Sequence, residues 1–168
     1  MTRRFTALLL AVIILPVILL CGCSGNKELT VQQYYDEMMR CWENWHGTTL
    51  ELSDPKDGLL GKFTAGNEEH ISQLNDIMER RGKAVDDFKK IIPPEAYAQR
   101  HEELMRRLEP EERWDTSLKR LAQAADDDEA EKIFDECYEL MNGGPAEELF
   151  PYGFMKIVQN LKKVLGSI

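Results

Sequence analysis

From residue 31 onward, apolar residues return at intervals of three and four along the chain, the spacing that gives an α-helix one buried face. Thr30 and Gln33 read as a capping box, with Leu29 and Tyr34 at the two positions of a hydrophobic staple. Val31, Tyr34, Tyr35, Met38, Cys41, Trp42 and Trp45 then predict a first helix ending at Gly47. Residues 48 to 64 read as a long connection in which Leu50, Leu52, Leu59, Leu60 and Phe63 are available to pack. A second helix is expected from Asn67 to Ile91. There Ile71, Leu74, Met78, Val85, Phe88 and Ile92 keep a heptad register broken only at Arg81. Pro93-Pro94 ends it, and Pro94 suits the first position of the next helix.

Tyr97, His101, Leu104 and Leu108 begin a third apolar stripe. Its phase continues past Pro110 through Trp114, Leu118, Leu121, Ala122 and Ala125, which predicts a kinked helix or two nearly collinear ones. Asp126-Asp127-Asp128-Glu129 places four acids at the positive end of a fourth helix dipole. Ile133, Phe134, Cys137, Leu140 and Met141 form its expected buried face, and Asn142-Gly143-Gly144-Pro145 stops it. Pro151 opens a last helix with Phe154, Ile157, Val158, Leu161 and Leu165 on one side. No strand pattern competes over more than a few residues. The expected fold is all-α: an antiparallel four- to five-helix bundle over residues 30–168, because each stripe needs a partner stripe.

The first thirty residues read differently. Arg3-Arg4 precede Phe5 to Leu20, a 16-residue run without one charge, the anatomy of a secretory signal. Crossing a bilayer takes about 20 apolar residues, so a run interrupted at Pro16 is short for a spanning helix. Leu20-Cys21-Gly22-Cys23 resembles the lipobox of bacterial lipoproteins, with Leu three positions before the invariant cysteine and small residues between. The resemblance implies that Cys23 is diacylated on sulfur, as by palmitate, and that the chain is cut before it. Residues 1–22 would then be a cleaved signal peptide, and 23–29 the lipidated cysteine with its tether. The implied location is exported, on a bacterial membrane facing the periplasm or the cell exterior. Two acyl chains suffice for stable attachment where one does not. Pro93-Pro94-Glu95-x-Tyr97-x3-His101-x2-Leu104 also loosely resembles a stretch of small helical bacterial lipoproteins, over about a dozen residues and with no activity implied.

Cleavage would leave 146 of the 168 residues, enough for one domain. It would also remove two of the 21 basic residues and none of the 30 acids, moving the net charge from −9 to −11. Nucleic-acid affinity comes from Lys and Arg neutralising phosphates, so nucleic acid is an unsuitable partner. A membrane reached through Cys23, an envelope protein or a cationic ligand fits the charge.

Candidate chemistry is sparse. His46, His70 and His101 fall in none of the metal-binding motifs, and adjacent Glu–His pairs on a helix diverge. His101 alone sits on an apolar stripe, either as a ligand contact or as a core histidine bonded to a backbone or tyrosine oxygen. Trp42 and Trp45 make the first helix the most aromatic; they are either a ligand or partner groove or ordinary core. Cys41 and Cys137 fall on the apolar sides of different helices, open to a disulfide after export or to two buried thiols. The acidic run at 126–129 lacks the alternating oxygens of a calcium loop. No cofactor is expected and no catalytic constellation is apparent. The reading is a non-enzymatic binding or scaffolding module of the cell envelope. Its alternatives are a small-molecule or metal-handling bundle, with His101, Tyr97 and Met side chains around a pocket, and an enzyme assembled from scattered acids and His.

Overall fold

The computed structural model describes residues 28–142 and 149–166, with side chains left undescribed at 141–148. Cys23, the signal segment, the Met141 side chain and the Gly143-Gly144-Pro145 turn lie outside the described residues. Among those described, every regular element is helical. The α-helices are α1 (Val31–Ser53), α2 (Glu68–Lys90), α3 (Ala98–Arg106), α4 (Leu108–Leu121), α5 (Asp127–Asn142) and α6 (Phe150–Leu165). Short 3-10 turns span Leu60–Lys62 and Glu95–Tyr97. None of these helices is long and apolar enough to cross a membrane.

The helix starts follow the sequence closely. Thr30 Oγ1 accepts from the Gln33 N–H while Gln33 Oε1 accepts from the Thr30 N–H, a complete capping box. Asn67 Oδ1 accepts from the Glu69 and His70 N–H groups at the head of α2. Asp126 Oδ1 accepts from the Glu129 N–H, and three acids occupy the first turn of α5.

Three helix ends depart from expectation. Gly47 does not stop α1, which runs on to Ser53. A helical glycine costs only about 1 kcal/mol, and the added turns bury Thr48 and Leu52. The stop is Asp54-Pro55. Asp54 takes extended ψ ahead of the proline, and its Oδ1 accepts from the Lys56 and Asp57 N–H groups. The expected connection therefore loses its first six residues to α1. The break in the third stripe falls at Arg107 rather than at Pro110. Pro110 is the third residue of α4, where a backbone N–H has no intrahelical partner to lose. Pro94 sits just before the Glu95–Tyr97 turn rather than within a helix. Ile92, expected in the α2 register, is exposed, since the chain leaves helical geometry at Ile91 and that residue is buried instead. Leu140 is exposed as well.

The core divides into two clusters. One joins Tyr34, Met38, Cys41 and Trp45 of α1 to Ala84, Val85 and Phe88 of α2, with Phe150, Phe154 and Ile157 of α6. The other joins Leu52 and Leu59 to Leu74, Ile77 and Met78 of α2, Trp114 and Leu118 of α4, and Ile133 and Cys137 of α5. Arg40 meets Asp87, Thr49 meets Arg81 and Glu51 meets Arg80. Numbers rise along α1 as they fall along α2, so these two helices run in opposite directions.

Two glycines make opposite demands. A Cβ on Gly47 would meet nothing within 4 Å. One on Gly58 would stand 2.5 Å from the Asp54 nitrogen, 2.6 Å from the Asp54 oxygen and 2.8 Å from the Leu52 oxygen, all backbone. Gly47→Ala should raise stability by about 1 kcal/mol, and Gly58→Ala should lower it by at least about 2 kcal/mol. Urea unfolding of the two variants checks both signs.

Candidate functional site

Helical spacing on α1 sets Trp42, Trp45, His46, Thr49 and Ser53 along one stripe, which forms a wall of a cleft of about 700 Å³. Trp114 of α4, Phe134, Cys137 and Tyr138 of α5, and Met155 of α6 also line it. The α1 wall is locked by ring contacts. Trp42 stacks on Phe154 at 4.3 Å and on His46 at 5.2 Å, while Trp45 meets Phe150 edge-on at 5.1 Å. Such packing holds aromatic surface in place without further ordering. Tyr138 is largely exposed and Met155 about half-exposed.

Arg81 and Glu111 are the charged side chains deep in the cleft. Arg81 is 0% exposed, yet it carries a full charge. Its Nε donates to Asp115 Oδ1 at 2.5 Å, Nη1 to Thr49 Oγ1 at 2.5 Å and Nη2 to Glu111 Oε2 at 3.0 Å. The guanidinium carbon also stands 4.4 Å from the centre of the Trp45 ring and 5.1 Å from that of Trp114. A charge in this position is tolerable because it is paired, hydrogen-bonded and set against π faces.

The pairing is unequal: two carboxylates share one guanidinium. Burial pushes both Glu111 and Asp115 above the usual carboxylate range, against the opposing pull of Arg81. For Glu111 the neighbouring Asp115 adds to the rise.

The cleft contains Trp42 and Trp45, and both also serve the core. Trp45 is 2% exposed within the first cluster, and Trp42 is partly buried against it. His101 stands apart from the cleft. Its Nδ1 lies 3.1 Å from the Tyr34 hydroxyl and its ring packs against Tyr34 edge-on. Burial holds its imidazole below the ordinary histidine range, so the neutral ring pairs with a tyrosine oxygen. Tyr97 packs on Tyr34 at the same place. His101 and Tyr97, expected as candidate pocket-lining residues, are thus buried and packed against Tyr34. The other histidines are separate: His46 stacks on Trp42, and His70 Nδ1 accepts from the Thr64 N–H. Among the described residues, no three His, Cys, Asp or Glu side chains gather as a metal site.

Cys41 and Cys137 are free, buried thiols in different clusters, so the bridge considered above is not formed. Each is pushed up to about 11, chiefly by burial, and stays protonated at neutral pH.

Arg81, Glu111, Asp115 and Trp114 are the site residues that the sequence reading missed. Arg81 does interrupt an otherwise apolar heptad position. Glu111 precedes Trp114 by three residues and Leu118 by seven, which puts it on the inward stripe. An inward acid and an inward arginine on two helices were the available signal.

No family model matches the chain, and neither a curated protein nor a solved structure matches it.

Arg81→Met should cost about 3–5 kcal/mol near neutral pH, because two buried carboxylates lose their counter-charge. The same pair sets a pH slope. Groups whose folded pKa is raised bind protons more readily in the native state, so their contribution is complete at low pH. It declines as pH rises above the ordinary carboxylate range, about 4. Glu111→Gln should flatten that decline, as read by urea unfolding between about pH 4 and pH 8. An unchanged slope would show that Glu111 does not carry it.

Proposed function

We propose that this chain is a lipid-anchored, extracytoplasmic binding module: an antiparallel four- to five-helix bundle that takes a small apolar molecule into the cleft between α1, α4, α5 and α6. The observation that carries the reading is the cleft. Its volume of about 700 Å³ lies within the range of small-molecule sites, roughly 300–1,000 Å³. Its surface is mostly apolar, with Trp42, Trp45, Trp114, Phe134, Tyr138 and Met155 on the walls and Arg81 and Glu111 among the polar residues, which is the composition of a site that binds by apolar contact and orients by a few charges. At its base Glu111 shares Arg81 with Asp115 and the Cys137 thiol stays protonated, while His46 and Asp135 also line the cleft. Binding through the apolar walls is the reading this composition favours.

Attachment rests on the lipobox at Leu20-Cys21-Gly22-Cys23. A diacylated Cys23 would hold the domain at the membrane surface through two acyl chains. The acidic surface suits that arrangement, since electrostatic adhesion to anionic lipid would require the opposite sign.

Two measurements test the two halves separately. Cys23→Ala should abolish labelling by radioactive fatty acid and leave unprocessed or released material; unaltered labelling would mean the wrong sulfur has been assigned. The full-length chain in zwitterionic nanodiscs should enhance the fluorescence of neutral N-phenyl-1-naphthylamine beyond empty nanodiscs. Met155→Trp, a half-exposed position at the cleft, should remove the enhancement without changing the melting temperature. Equal enhancement in both proteins would place the dye elsewhere and overturn the reading.

A further inference from the structure

The charges around the cleft are lopsided. Among the described residues that line it, Arg81 is the one lysine or arginine, and Glu111 and Asp135 are the acids. Asp115 stands directly behind, on the far nitrogen of the same guanidinium. All three Arg81 nitrogens are engaged, by Asp115, Thr49 and Glu111. An anionic ligand would have to take Arg81, itself 0% exposed, from two carboxylates that already hold it. A cation meets the reverse situation, an excess of negative charge in a low-dielectric recess, where opposite charges attract most strongly.

The aromatic walls favour the same sign. Two of them already hold a cation: the Arg81 guanidinium lies over the Trp45 and Trp114 rings. Phe134 and Tyr138 add further π surface from α5. Such rings attract a desolvated ammonium by their quadrupole.

We infer, resting on the reading of the cleft as a ligand site, that its ligand is an apolar organic cation: an amine, quaternary ammonium or phosphonium carried on a hydrocarbon or aromatic body. Glu111 supplies the nearest unbalanced charge and Asp135 a second at the rim. Burial and the repulsion of Asp115 hold Glu111 above its usual range, which is the condition a second positive charge relieves. Arg81 positions Glu111 and does not itself contact the cation.

A matched pair of ions tests the sign. Tetraphenylphosphonium and tetraphenylborate have the same shape and opposite charge. Each is titrated against the full-length chain in zwitterionic nanodiscs with bound N-phenyl-1-naphthylamine, subtracting empty nanodiscs. The phosphonium should displace the dye at a concentration at least about tenfold lower than the borate. Glu111→Gln keeps the shape and an acceptor for Arg81, and should bring the two ions within about threefold of each other. Asp135→Asn, at an exposed position, should reduce the preference without affecting the melting temperature. If the dye binds and the borate displaces it as well as the phosphonium, the charge assignment is overturned while the cleft remains a ligand site. If neither the dye nor the phosphonium binds, the ligand-site reading falls with it.

Discussion

A guanidinium with no exposure to solvent can persist only where every part of it is answered, and at Arg81 of α2 the answers come from two other helices. Thr49 lies on α1, Arg81 on α2, and Glu111 and Asp115 on α4, one turn apart on a single face. A buried ion cluster of this kind is not a large source of stability compared with apolar side chains of the same volume. Its effect is on register. Sliding α2 by one residue against either neighbour would strand a charge where water cannot reach it, whereas an apolar contact would slide at smaller cost. The guanidinium also lies against Trp45 of one hydrophobic cluster and Trp114 of the other, so it joins two cores that the apolar residues alone leave separate.

The cleft lies at that junction. Trp42 and Trp45 line it from the side of the first cluster, and Trp114, Phe134 and Cys137 from the side of the second, with Arg81 between them. The ring contacts of Trp42 with His46 and Phe154 then fix the wall from behind. An interior feature that sets helix register thus also sets the shape and sign of the proposed binding site, so that recognition and folding draw on the same residues.

Much of the architecture was legible from periodicity and capping. The Thr30 and Asn67 starts, the acidic opening of α5 and the all-helical class all follow from local rules. Local rules erred where tertiary burial outweighs them: Gly47 stays helical because Thr48 and Leu52 find a core beyond it. At Pro110 the chain broke three residues earlier, since proline is tolerated in a first turn and clashes with the turn before it. The site was only half legible. Trp42 and Trp45 stand out as aromatics at helical spacing, but a single helix cannot reveal which acid on another helix will meet an inward arginine. His101 drew notice because imidazole on an apolar stripe is unusual; its tyrosine partner is 67 positions away in the chain.

The thiols of Cys41 and Cys137 lie in different halves of the interior, each buried within its own cluster. Among the described residues no crosslink enters the native fold, so its assembly asks nothing of an oxidising catalyst. Were the domain exported as proposed, it would reach the same shape in an anaerobic cell as in one rich in oxygen, without an isomerase to sort its sulfur atoms.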